Sequence, residues 1–482
     1  MTKTKQAVAL FSAILGTAGL ASAQSVPSSG FFDWSENTNP TAPDFTASPF
    51  LDNNNATQVA AQLSAAQAAG KPLAVKVREP LTNPASQAIF NQFAVKYVFC
   101  DFEDAALVGR TRAVADLVLS STASKNAFVG NFNVYPNSGS DGTRPVAANT
   151  NYQYGDIRGK TPTSTGKLMS NEQLYPGQSD FRTGGTSQLP IPGGTPNIRS
   201  GLFTLPIIRQ TVAENSLPGS DAHIPWVTRF NNWGNTLLDT DGNSSNGYQF
   251  VQNASNPANG QLLSRGDFQA QILHYRLRGA DSVNLFQASA GSVQGYSRAQ
   301  EQSDIRTGWG GSAVVNGIFS RNNFALANLT TVIGDRGGSS GDPANSSQNP
   351  TSVGPRGLAV AGAAWSGVYD KSGSTRKLSI LISNMGTDNK TIDLPNFIGG
   401  YHAMASNGSD DFAVSPGQHR LLTFTLKPQS SLGKNMSWVL DSNVAVFTDN
   451  NRNGVGIPEP TSAAVLGLGA VGLLAARRRR KA

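Results

Sequence analysis

Carboxylates gathered near the end of a buried strand can do acid–base chemistry, because one charge raises the pKa of its neighbour. The chain offers such a group at Asp101, Glu103 and Asp104, just after the apolar run Val95–Cys100. The same residues would also serve as solvated loop groups or helix caps. Another acid, Glu172, follows Asn171 after the strand-like run Lys167–Met169. A third feature is Trp226-Val227-Thr228-Arg229-Phe230-Asn231-Asn232-Trp233. Its strand should end near Phe230, which leaves Arg229, Asn231, Asn232 and Trp233 on a rim. Flat rings beside amides and a guanidinium suit a sugar, which has an apolar face and a ring of hydroxyls. Trp226 and Phe230 read equally well as core.

Other chemistries find less support. His223, His274, His402 and His419 show no zinc spacing, and His274 reads as a packing residue on a helix. Asp239, Asp241 and Asn243 alternate like the start of a calcium loop, as do Asp449, Asn451 and Asn453. Neither has Glu at the twelfth position, so polar turns are the simpler reading. No cofactor is expected, and a structural calcium is the weak exception. The single cysteine, Cys100, excludes an internal disulfide and reads as a buried thiol.

The elements that must position these residues alternate. Helices are expected at 57–69 (cap Asn55, stop Gly70), 86–93 (cap Asn83, then Pro84), 110–120, 198–216 and 267–278, the last capped by Asp267 or a neighbour. Strands are expected at 73–77, 95–100, 127–132, 224–230 and 282–286. Such alternation implies parallel strands covered by helices. The stretch 135–197 is a long interruption rich in Gly, Thr, Pro and Asn. A (β/α)8 barrel with irregular insertions explains the pattern, with a doubly wound sheet as the alternative. After about residue 355 the helical pattern stops. Strands at 360–365, 377–382, 401–405, 421–426 and 438–447 read as a small all-β sandwich. The organisation is thus an extended segment 24–56, a barrel-like domain 57–335, a linker 336–355 and a sandwich 356–450.

Both chain ends carry addresses. Lys3 and Lys5, the apolar run Ala7–Leu20 and Ala21-Ser22-Ala23 form a secretory signal peptide, residues 1–23, with cleavage after Ala23. At the other end, Pro458-Glu459-Pro460 precedes an apolar run, 463–476, and a cluster of four arginines and Lys481. Fourteen residues make a helix of about 21 Å, short for a bilayer core of about 30 Å. This tail, 458–482, resembles the PEP-CTERM sorting signal of bacterial exported proteins. The resemblance implies an exosortase-type protease as partner, cleavage near Pro458-Glu459-Pro460, and a membrane helix that is present only before processing. A plain C-terminal anchor is the alternative. The formal charge of +7 comes from these two ends, which leaves the body near zero and without a basic run. A nucleic-acid partner is therefore excluded.

A barrel followed by a sandwich is similar to the organisation of many secreted glycoside hydrolases, and Asn171-Glu172 looks like the Asn-Glu acid/base pair of one large clan of them. The resemblance implies Glu172 as acid, with one of Asp101, Glu103 or Asp104 as the second carboxylate. It departs from the clan in one respect. Only Glu214, Glu301 and Glu459 follow Glu172, the first two on expected helices and the third in the tail. Asp281 precedes its strand, so it sits at the wrong end for a barrel site. The expectation is an exported envelope protein associated with extracellular polysaccharide. It is either a hydrolase or a non-catalytic surface protein whose barrel binds or scaffolds.

Overall fold

The structure is a computed structural model. It describes residues 27, 29–34, 43–102, 107–131, 167–171, 173–174, 203, 207, 222–229, 235–238, 249–252, 264–286, 298–310, 329–334, 363–370, 376–384, 389–393, 401–404, 411–429 and 434–448. Glu103, Asp104, Glu172, Asn231, Asn232, Trp233, Ala23, Pro458, Glu459, Pro460, the linker 336–355, the segment 463–476 and both calcium-like loops lie outside these residues. Among the described residues no helix is long and apolar enough to cross a membrane.

The chain is a mixed α/β protein with two parallel sheets and one largely antiparallel sheet. The first parallel sheet holds β1 (Phe31–Asp33), β2 (Phe45–Ala47), β8 (Gln173–Leu174), β10 (Trp226–Val227) and β13 (Asn284–Leu285), in the order β2-β1-β13-β10-β8. The second holds β3 (Phe50–Leu51), β4 (Ala74–Val77), β5 (Tyr97–Cys100), β6 (Phe128–Asn131), β7 (Lys167–Ser170) and β9 (Ala222–His223), in the order β3-β4-β5-β6-β7-β9. Two residues of chain join β2 to β3, β7 to β8, and β9 to β10.

The strands β4, β5 and β10 are buried throughout, which is why their segments read as largely apolar runs. One face forms a shared cluster of Phe32, Trp34, Ala74, Tyr97, Phe99, Met169, Ala222, Ile224 and Trp226, drawn from both sheets. The other face packs on helices. Val75, Val77, Val98, Cys100 and Val129 meet α1 (Ala56–Ala68), α2 (Pro84–Gln92) and α3 (Leu107–Ser120). Phe31, Phe45, Val227, Val283 and Leu285 meet α4 (Arg265–Leu277) and α5 (Arg298–Gly310).

Helix ends follow local chemistry. Asn83 accepts from the Ala85 N–H at 2.9 Å with Pro84 in the first turn, as expected. Gly70 ends α1 at φ +67°. Asn55 precedes α1 but does not cap it with its side chain. It is bound instead to Asp52 and to the Phe50 carbonyl. For α4 the cap is Ser264, which forms a reciprocal capping box with Asp267. Pro225 follows Ile224 in the gap between β9 and β10, so the strand expected over 224–230 is two short ones that end at Val227.

The antiparallel sheet runs β14 (Leu329–Gly334), β15 (Ala363–Asp370), β16 (Lys377–Asn384), β20 (Gln418–Gln429), β21 (Lys434–Val446) and β18 (His402–Met404), the last pairing parallel to β21. One face, with Trp365, Ile380, Ile382, Leu422, Phe424 and Trp438, packs against Phe412 and Val414 of the ribbon β17 (Lys390–Asp393)–β19 (Asp411–Val414). The opposite face packs Val368, Leu381, Leu421 and Val446 on Leu273 and Leu277 of α4. A second ribbon pairs β11 (Asn235–Leu238) with β12 (Gln249–Gln252). Two placements differ from the sequence reading. Leu329–Gly334, assigned to the first domain, is an edge strand of the antiparallel sheet. Phe31–Leu51, assigned to an extended segment, supplies three strands of the parallel sheets.

Candidate functional site

Within each of the two sheets, parallel pairing puts the C-terminal ends of the strands on one side. Residues in register share a face. Phe50, Lys76, Phe99 and Gly130 form one row across the second sheet. Phe32, Asn284 and Trp226 form a row across the first. Gly130 is required where it stands, because a Cβ there would collide with the Met169 carbonyl and lie 2.9 Å from Asn171 Oδ1.

Beside these rows four rings crowd together. Trp34 meets Trp226 edge-on at 4.1 Å, Phe286 at 4.5 Å and Phe50 at 5.1 Å. Two cations lie against them. Lys76 Nζ, fully buried, sits 3.9 Å from the Trp34 ring and 4.1 Å from the Phe50 ring. The Arg78 guanidinium lies 3.8 Å from the Phe50 ring. Such contacts contribute about 0.5–2 kcal/mol each and offset part of the cost of taking a cation out of water. Three buried polar groups face the same region. Trp34 Nε1, Asn171 Oδ1 and both polar atoms of the Asn284 side chain have no hydrogen-bond partner. A buried amide left unpaired costs about 1–3 kcal/mol, so such groups suit a site built for a ligand.

Asp101, from the predicted acid cluster, stands at the end of β5. Its carboxylate accepts from Arg78 Nε at 3.0 Å, with Asp101 buried and Arg78 half exposed. Cys100 beside it is fully buried. Burial, and then the charge of Asp101, push its thiol well above the usual range. It is a structural thiol, as the sequence suggested.

Arg229, expected on the rim, is 1% exposed, and its backbone N–H donates to Glu301 Oε1 at 3.2 Å. Glu301, in the first turn of α5, also accepts from Thr228 Oγ1 at 3.3 Å, and its Oε2 has no partner. Desolvation raises its pKa to about 7, against the pull of the Arg229 N–H and the Arg298 and Arg229 charges. Asp33 closes this cluster. It is paired with Arg298 and accepts from Gln302 Nε2 at 2.8 Å. Among the described residues no group of three or more His, Cys, Asp or Glu could hold a metal.

Sequence reasoning missed Trp34, Lys76, Arg78, Asn284 and Phe286. A lysine between Val75 and Val77, in a strand buried on both faces, was a signal it could have used.

No protein-family model matches the chain, and no curated protein matches it. Among solved structures, a glycoside hydrolase is similar at 9% identity and a TM-score of 0.35, covering 87% of this chain and 91% of its own. A glycoside hydrolase family 5 protein from Bacteroides vulgatus is similar at 10% identity and a TM-score of 0.34, covering 87% and 88%. At these scores neither likeness bears on function.

Proposed function

We propose that the two parallel sheets are halves of one (β/α)8 barrel followed by a β-sandwich, and that the barrel's C-terminal strand ends bind a carbohydrate. Three short chain crossings link the sheets into one ring of neighbours, and one apolar cluster spans both, which supports the closed form. The observation that carries the binding reading is the group of four rings with Lys76, Arg78, the unpartnered Asn284 amide and the free Asn171 Oδ1 at those ends. Rings stack on the apolar face of a sugar, and amides and cations meet its hydroxyls. Hydrolysis would require a second carboxylate beside Glu172. Asp101 is paired with Arg78, and the binding reading rests on the rings, cations and amides alone, so it is the one put to the test first. In this view the protein is exported, sorted through 458–482, and sits in the cell envelope against extracellular polysaccharide.

The test is affinity electrophoresis and calorimetry of residues 24–457 over a polysaccharide panel, with Arg78→Ala and Trp233→Ala. Retention by at least one polysaccharide, weakened about tenfold by Arg78→Ala without a change in circular dichroism, is expected. If no polysaccharide is retained, or both variants bind like the parent, the reading fails. Release of reducing ends that is lost in Glu172→Gln would replace binding by hydrolysis.

A further inference from the structure

Where α4 meets the antiparallel sheet, six buried polar side chains form a line. Arg278 Nε lies 2.7 Å from Ser366 Oγ. Ser366 Oγ lies 2.8 Å from His274 Nδ1, and His274 Nε2 lies 2.9 Å from Ser383 Oγ. Ser383 Oγ lies 2.8 Å from His419 Nδ1, and His419 Nε2 lies 3.1 Å from Asp267 Oδ1. None of the six is more than 2% exposed, and Leu273, Leu277, Val368, Leu381, Leu421 and Val446 form a buried apolar cluster between the same helix and sheet.

Donor counting gives the line a direction. A guanidinium only donates and an ionised carboxylate only accepts. Ser366 therefore accepts from Arg278 and donates to His274 Nδ1. His274 donates from Nε2 to Ser383, which donates to His419 Nδ1. His419 donates from Nε2 to Asp267. Each bond fixes the next, and both imidazoles are neutral with the proton on Nε2. Run the other way, His274 and Arg278 would both donate to Ser366, and the Ser366 proton would have no acceptor in the line.

We infer that the antiparallel sheet is held on α4 by this one-way chain, which closes only while His274 is neutral, so that acidification releases the sheet from the helix. A proton on His274 turns Nδ1 into a donor aimed at a hydroxyl that already accepts from Arg278. It also places a second positive charge beside that guanidinium in a dry interface. Among the described residues the groups around His274 are Arg278 on its own helix, Ser366 of β15, Ser383 of β16 and His419 of β20, with the Phe203 ring edge-on at 5.7 Å. Asp267 reaches it only through His419 and Ser383. Burial first, then Arg278 and His419, hold His274 well below its ordinary 6.5. The undocked form therefore takes up a proton that the docked form refuses. The contribution of this residue to docking is complete above about 6.5, and below it the docking equilibrium constant falls by about tenfold per pH unit.

Hydrogen exchange on the full chain, read by mass spectrometry from pH 8 to 5 and corrected for intrinsic rates, tests this. Opening of residues 265–277, 363–370 and 377–384 should rise by about tenfold per pH unit below 6.5, while 74–77 and 97–100 stay protected. His274→Gln keeps one acceptor and one donor but cannot be protonated. It should keep protection at pH 8 and lose the acid response. Should that variant open even at pH 8, imidazole nitrogen-15 spectra of the parent decide. His274 should be neutral with the proton on Nε2 at pH 7. Protonation of His274 Nδ1 at pH 7, or exchange in α4 that ignores pH, overturns the inference.

Discussion

Glu301→Gln isolates the cost of burying one carboxyl group. Glu301 is fully buried between α5 and the ends of β1 and β10, and its pKa is raised from 4.5 to about 7. A change of that size corresponds to about 3 kcal/mol. The sign follows from proton uptake. Between those values the folded chain holds a proton that the unfolded chain has lost, so the contribution is complete below 4.5 and is lost as pH rises through 7. Glutamine keeps an oxygen for Thr228 and the Arg229 N–H and never ionises. Relative to the parent, the variant should therefore gain about 3 kcal/mol between pH 4.5 and pH 8. Guanidinium unfolding followed by tryptophan fluorescence at four pH values measures it. If the stability difference between variant and parent is the same at every pH, Glu301 is not the neutral buried acid described.

Two further outcomes follow from close packing. Gly130→Ala should cost about 1–3 kcal/mol, because β7 must move to make room for the methyl group. An unchanged denaturation midpoint would mean that β6 and β7 do not approach as described. Cys100 should resist a thiol reagent at pH 8 in the native protein and react once denaturant is added. Stoichiometric labelling of the folded chain would contradict its burial.

The long, regular elements were legible in the sequence. Asn83-Pro84 marked the start of α2 and Gly70 the end of α1, because caps and stops are local chemistry. The strands at 74–77 and 97–100 stood out because burial on both faces leaves apolar runs, broken in the first only by Lys76. The strands at 31–33, 45–47 and 50–51 did not. They have two or three residues each, too few for a period to show, and they exist through partners such as Asn284 far along the chain. The candidate site was less legible. Asp101 was singled out because acids cluster there, and it is paired with Arg78, whereas Lys76 and Asn284 meet their neighbours only through register. His274, read as a packing residue, is buried, but its partners Ser366 and Ser383 lie on two different strands that no spacing within its own helix reveals.

The pairing of β1 with β13 also sets an order of assembly. Ser282 Oγ bonds the Gly30 carbonyl across 252 residues. At about 5–20 residues per second, that stretch takes roughly 10–50 s to synthesise. Until then the row Phe31-Phe32 has β2 on one side and no β13 on the other. The loop between them must close before the interior seals, which makes this contact late and slow. A chain whose first strand waits for a neighbour so far along it keeps that edge of the sheet open until the late partner has been made.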